Sequence, residues 1–220
     1  GIESDPVAAL LLRANLAAAG LAERAHVLVA DYRRAKLPAV RGKTLFIGNP
    51  PYVRHHQISD ADKHWFADAA ASFGVKASKL AGLHIHFFVR TLQLAKPGDF
   101  GVFITSAEWL DVNYGATLRQ LLAEGLGGVA LHVLDPKAMP FTDATTTGAI
   151  TCFRVGRRPD ALCVRSVESI DTLNGLSTGT LVPWDTVRQS NRWSIIIRPG
   201  AAVPAGYVEL GELCRVHRGQ

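Results

Sequence analysis

Apolar and polar positions follow two rhythms along this chain. One has the period of a helix. "SDPVAALLLRANLAAAG" offers Ser4 or Asp5 as N-cap, Pro6 in the first turn and Gly20 as the stop. Residues 59–72 predict a second helix, capped by Ser59 or Asp60. "GLHIHFFVRTLQLAKPG" is amphipathic and closes at Pro97-Gly98, and "GATLRQLLAEG" predicts a shorter helix. The other rhythm is a short apolar run bounded by turn residues. "HVLVAD", "TLFIGN", "FGVFIT", "GVALHVLD" and "GAITCFRVG" are of this kind and predict buried strands. Strand and helix in alternation predict an α/β fold: a mostly parallel sheet, helices on both faces and right-handed crossovers.

The rhythm changes after about residue 158. Short β-like runs with Pro and Gly punctuation replace the long helices. The expected division is a partial α/β domain over 1–158, with 159–220 as a connector and the start of a further domain. Both ends look cut: "GIESDP" reads as the end of a strand, and "RVHRGQ" as the opening of a new unit.

Composition narrows the class. The 220 residues suffice for one domain with a sizeable core. Hydrophobic content of 48% and charged content of 20% argue against disorder. No apolar run reaches bilayer length. "PVAALLLRANLAAAG" is interrupted by Arg13 and Asn15 and lacks a basic leader, so it reads as part of a soluble domain rather than a signal peptide. A net charge of +5 is compatible with a nucleic-acid partner without establishing one. Cys152, Cys163 and Cys214 are odd in number and widely spaced, which suits plain thiols in a reducing compartment. The pairs His55-His56 and His84-x-His86 read as surface and half-buried imidazoles, because no cysteine or carboxylate cluster completes a metal set.

Chemistry concentrates at strand ends, where open α/β sheets bind ligands. Three polar residues fall there: Glu3, Asp31 and Asn49. Glu3 and Asp31 serve equally well as capping carboxylates. Asn49 is different, because "GNPPYVR" follows it with two prolines and a tyrosine. Pro50 and Pro51 lack N–H groups, and their fixed φ stiffens the turn. The outcome is a preorganised set of acceptors, the Asn49 side-chain oxygen and the Pro50 carbonyl, beside the flat face of Tyr52. A planar exocyclic amino group, with two N–H donors, is the natural guest.

With these residues in view, the chain resembles the amino-group DNA methyltransferases that methylate adenine N6, in the N-P-P-Y class of restriction-modification type. The likeness covers roughly residues 1–155 and continues weakly to the end. It implies a Rossmann-like S-adenosylmethionine-dependent methyltransferase fold. It implies Glu3 on the cofactor's ribose hydroxyls, Asp31 on its adenine, and Asn49, Pro50, Pro51 and Tyr52 as the catalytic turn, with Asn49 also beside the cofactor. "MPFTDATTTGAITCF" resembles the segment whose aromatic residue stacks on the target base, which makes Phe141 the partner of Tyr52. Arg54 is a possible DNA contact, and no metal is implied. "VELGELCRVHRGQ" resembles the opening of a target-recognition part.

Two features depart from the family pattern. The glycine-rich cofactor loop is absent, so the segment alone is expected to be inactive. The acidic residue often found near Gly82 is also absent, since the sequence there is "LAGLHIHFF". The implied substrate is double-stranded DNA with a flipped adenine. A restriction nuclease would be fused or separate, and the setting would be the prokaryotic cytoplasm, with no membrane. N-P-P-Y is shared with methyltransferases of protein glutamine and of ribosomal RNA guanine N2. Those activities stay open as alternatives, as does a non-catalytic DNA-recognition subunit that keeps the fold.

Overall fold

The computed structural model describes residues 1–138, 147–173, 175–198, 206–208 and 210–214. A short strand β1 (Ile2–Glu3) leads into helix α1 (Pro6–Ala18), and strand β2 (Leu28–Val29) returns to pair with β1 in parallel. Strand β3 (Leu45–Gly48) follows, then helices α2 (Asp60–Ala71) and α3 (Leu83–Leu94). Strand β4 (Phe100–Ser106), helix α4 (Ala116–Glu124) and strands β5 (Gly128–Leu134), β6 (Gly148–Arg154) and β7 (Ala161–Val167) come next. Strand β8 (Thr180–Pro183) and the short helices α5 (Trp184–Gln189) and α6 (Ser194–Ile197) complete the body.

Local chemistry sets these bounds. Asp5 caps α1 by accepting from the Val7 and Ala8 amides, and Gly20 takes a positive φ just past its end. Ser59, rather than Asp60, caps α2 through the Asp62 amide. The stretch from 73 to 80 between α2 and α3 is anchored by buried Val75 and by the Thr117 hydroxyl donating to the Lys76 carbonyl.

The main sheet has six strands in the order β3-β4-β6-β5-β7-β8. Strands β3, β4, β5 and β7 point one way, while β6 and β8 oppose them. The sheet is therefore mixed, with the co-directional strands in the majority. β6 runs antiparallel between β4 and β5. Gly101 on β4 makes room for its neighbour, because a Cβ there would lie 2.0 Å from the Phe153 ring. β5 is buried nearly throughout, as a central strand covered on both faces should be.

The larger core lies on the face carrying Phe46, Phe103, Leu131 and Phe153, under Phe66 of α2, Ile85 and Phe88 of α3 and Leu118 and Leu121 of α4. The Phe88, Phe103 and Phe153 rings pack on one another at 5.0–5.9 Å. A smaller cluster on the opposite face gathers Ala130, Leu134, Ile150, Cys152, Cys163 and Val167. The chain past residue 158 supplies β7 and the edge strand β8. It also sends Trp184 and Trp193 into the larger core, edge-on to each other at 5.7 Å.

Candidate functional site: the strand-end turn at Asn49

β3 alternates sharply. Phe46 enters the core, Leu45 and Ile47 point outward, and Gly48 rests against the Phe103 ring. The chain leaves the sheet at Asn49. Pro50 is buried and anchors the turn, while Asn49, Pro51 and Tyr52 are exposed. The Tyr52 hydroxyl donates to the Asn49 Oδ1 at 2.8 Å. Two residues expected to act together are thus joined directly.

The turn is held from behind by α3. The Leu83 amide donates to the Val53 carbonyl at 2.9 Å. The His84 ring stands edge-on to Tyr52, with centroids 6.4 Å apart and planes at 66°. Gly82 permits this approach: a Cβ there would meet His84 Nδ1 at 3.0 Å and the Val53 carbonyl at 3.3 Å. The acidic residue of the family pattern could not stand at position 82 without displacing that ring. His84 is buried, and desolvation pushes its pKa down to about 4, so the imidazole is neutral near pH 7. Its Nε2 has no hydrogen-bond partner. Burial likewise raises the Tyr52 phenol, which keeps its proton.

Glu3 and Asp31 lie at the ends of the parallel pair β1 and β2. Glu3 Oε1 accepts from the Asp5 amide at 2.9 Å, so this carboxylate steadies the entry to α1. Asp31 is gripped by Arg33, whose Nε donates to Oδ1 at 3.0 Å and whose terminal nitrogen donates to Oδ2 at 2.5 Å. Arg33 also bridges to Asp62 of α2 at 3.0 Å, and Arg34 reaches the same carboxylate at 3.0 Å. Desolvation acts to raise both carboxyl pKa values. At Asp31 the bonds and charge of Arg33 outweigh it, and at Asp62 the bonds from Ser59, Arg33 and Arg34 do, so both end below the usual value.

Arg54 lies on the exposed flank of the turn, ahead of a 3-10 turn over His55–Gln57. Its charge reaches Tyr114, whose hydroxyl donates to Glu108 Oε2 at 3.1 Å. Burial and the Glu108 carboxylate push that phenol up to about 12 in spite of Arg54. Glu108 lines a cavity of about 360 Å³ at the ends of β4 and β5, with Asp111, Ile197 and Arg198 on other walls. Phe141 lies outside the described residues. Among the described residues no cluster of His, Cys, Asp or Glu is arranged to hold a metal ion, and no helix is long and apolar enough to cross a membrane.

Sequence reasoning missed two participants. The Arg33–Asp62 link joins positions 29 apart, and only the neighbouring charges of Asp31 and Arg33 hinted at it. His84 was read as one half of an unassigned histidine pair, whereas the structure sets it against Tyr52. His86 does something else: it stacks flat on Phe66, with centroids 4.1 Å apart.

The mixed sheet and its helices take a Rossmann-like fold shared with solved S-adenosylmethionine-dependent methyltransferases. The comparisons narrow this further. Residues 38–129 match the family described as Eco57I restriction-modification methylase. The whole chain is 57% identical over 219 residues to the type II methyltransferase M.XamI of Xanthomonas campestris pv. amaranthicola, and spans 42% of that protein's length. The type II methyltransferase M.XhoI of Xanthomonas vasicola is 34% identical over 120 residues, which is 54% of this chain and 21% of that protein. In structure, the methyltransferase subunit of a type I restriction-modification system from Streptococcus thermophilus aligns over 85% of this chain and 39% of its own, with a TM-score of 0.62 at 15% identity. The chain is thus similar to restriction-modification methylases. It spans less than half the length of the relatives it matches.

Proposed function

We propose that this chain carries the catalytic turn of a restriction-modification methyltransferase that transfers a methyl group to the N6 amine of adenine in DNA. The observation that carries the reading is the turn itself. A buried Pro50 sets the Asn49 side-chain oxygen and the Tyr52 ring side by side at the end of β3. Its relatives are named as type II methyltransferases, which supports DNA as the substrate.

S-adenosylmethionine, the cofactor of this fold class, supplies an electrophilic methyl group when bound. The donor chemistry of this chain fits it. The Glu3 carboxylate stands at a strand end and suits ribose hydroxyls. Asp31 serves an adenine amine where that amine displaces one of the bonds by which Arg33 occupies both carboxylate oxygens.

The N6 lone pair is delocalised into the ring, which makes it a poor nucleophile. Hydrogen bonds from its two N–H groups to Asn49 Oδ1 and the Pro50 carbonyl favour a more tetrahedral nitrogen. They also stabilise positive charge as it develops there. Alignment of the amine within the rigid turn supplies the rest. No base is needed before attack, because the methylated amine is itself acidic. The adenine must leave the duplex, at a cost of about a few kcal/mol. Stacking contributes roughly 1–3 kcal/mol per base, so Tyr52 with Phe141 offsets much of that cost. Arg54, on the exposed flank, is placed for a backbone phosphate.

In the full-length protein, Asn49→Ala is expected to abolish methyl transfer nearly completely while cofactor binding survives. Activity within a few-fold of wild type overturns the catalytic role. Labelled methyl transfer to DNA, RNA and protein acceptors, followed by nucleoside digestion of the product, names the substrate. Label outside N6-methyladenine overturns the proposed specificity.

A further inference from the structure

The Asn49 oxygen that should receive the substrate amine already has an occupant. It accepts the Tyr52 hydroxyl at 2.8 Å. While that bond stands, the oxygen offers less to an incoming N–H, and the ring is fixed by its own hydroxyl rather than by a stacked base. An amide oxygen accepts two hydrogen bonds, so the bond leaves one lone pair open; what it holds is the ring, and turning that ring onto a base requires Tyr52 to let go. The released hydroxyl needs a partner, water or a protein acceptor, because a lost hydrogen bond is costly.

His84 is built to be that partner. Its ring meets Tyr52 edge-on, and its Nε2 is buried with nothing bonded to it. A buried polar atom left unpaired in a native structure calls for a reason. A phenylalanine would fill the same space with no such penalty. The ring is also held in place: the gap at Gly82 admits it, and the Leu83–Val53 backbone bond fixes the head of α3 to the turn. His84 is neutral and Tyr52 is protonated near pH 7, so one has a lone pair to accept and the other a proton to give.

We propose that the Tyr52 hydroxyl latches Asn49 when no base is bound, and that His84 Nε2 is the positioning residue's atom that takes up this hydroxyl when the ring turns onto a target base. The proposal rests on the amine-methylation reading for its purpose, though the latch itself can be read without catalysis.

The test uses the full-length protein as wild type, Tyr52→Phe, His84→Phe and the double variant. With unmethylated genomic DNA and labelled S-adenosylmethionine, Tyr52→Phe keeps the stacking ring and removes one hydroxyl bond from each state, to Asn49 before capture and to His84 after it, so kcat/KM stays within about twofold of wild type. His84→Phe leaves the release of the latch uncompensated and lowers kcat/KM about two- to tenfold, the factor one neutral hydrogen bond commands, and adding Tyr52→Phe restores it. A merely structural His84 gives a loss that Tyr52→Phe does not relieve, and an unrelieved loss overturns its role. A His84→Phe variant as active as wild type overturns it as well. Independently, the Asn49 side-chain amide resonance of the base-free protein shifts on Tyr52→Phe if the latch exists, and an unmoved resonance overturns it. A wild-type protein that fails to methylate DNA refutes the amine-methylation reading instead, and the resonance still decides the latch.

Discussion

Helices α1 and α3 are nearly equal in length and both rich in apolar residues, yet their surroundings differ completely. α3 buries Ile85, Phe88 and Val89 to full exclusion of solvent. α1 buries only Ala9 and leaves Val7, Leu10 and Leu11 more than three-fifths exposed. The strands beside them repeat the contrast. β4 lies between two partners in the six-stranded sheet, whereas β1 and β2, which α1 meets, pair only with each other. Hydrophobic patterning thus tells where a helix forms. It does not tell what the apolar face meets. Stability in this chain should be concentrated around α3 and the Asn49–Tyr52 turn it braces, and thin around α1.

The largest expected effect tests that contrast directly. Phe88→Ala removes a ring packed against Phe103 and Phe153, and it should cost about 3–5 kcal/mol, the range for emptying a buried aromatic site. Leu10→Ala removes a side chain that is 64% exposed and should stay within about 0.5 kcal/mol of wild type. Urea unfolding of the 220-residue chain measures both. Comparable losses at the two positions would erase the distinction.

Acid sharpens the comparison, because α3 carries two buried histidines, β5 carries a third in His132, and α1 has none. Desolvation takes both His84 and His86 from 6.5 down to about 4. Between those values the unfolded chain binds protons that the folded chain refuses. Their stabilising contribution is therefore complete above about pH 6.5 and is lost as pH falls towards 4. Asp31, Asp62 and Asp99 are held below 3.8, so their contribution persists until stronger acid. Thermal melts should show Tm falling across the histidine window, by roughly 2–4 °C for each kcal/mol lost. Replacing both α3 histidines by phenylalanine should make that slope shallower, leaving the part due to His132, which burial also shifts down. An unchanged slope would mean that the acid-sensitive groups lie elsewhere.

Much of this architecture was legible because it is local. Pro6, Ser59 and Gly20 mark helix ends through bonds and dihedrals that span a few residues. The Asn49–Tyr52 pair was legible for the same reason, since two prolines leave the turn little freedom. Strand direction was harder. Only 13 residues separate β5 from β6, about the shortest span a parallel crossover can use, and the structure takes the antiparallel option. What joins distant positions was not legible. The Arg33–Asp62 bridge, and the Gly82 gap that lets His84 reach Tyr52, depend on how α2 and α3 settle on the sheet. Glu3 shows a local role that the sequence already allowed: its carboxylate accepts from the Asp5 amide two residues on.

The smallest effect separates the two regions most finely. Asp5 caps α1 by accepting from the Val7 amide at 2.7 Å and the Ala8 amide at 3.2 Å. Ser59 caps α2 by accepting from the Asp62 amide at 3.2 Å, while its hydroxyl donates back to the Asp62 carboxylate at 2.8 Å. Loss of either cap costs about 1 kcal/mol locally. The readout should differ. α2 is locked to the core by Phe66 and to Arg33 by Asp62, so Ser59→Ala should lower the global unfolding midpoint. α1 has few tertiary contacts, so it opens without unfolding the rest, and local opening is invisible to a global midpoint. Asp5→Ala should therefore speed amide hydrogen exchange along α1 and leave the midpoint in place. A midpoint shift for Asp5→Ala equal to that for Ser59→Ala would show that α1 unfolds with the core, in spite of its exposed apolar face.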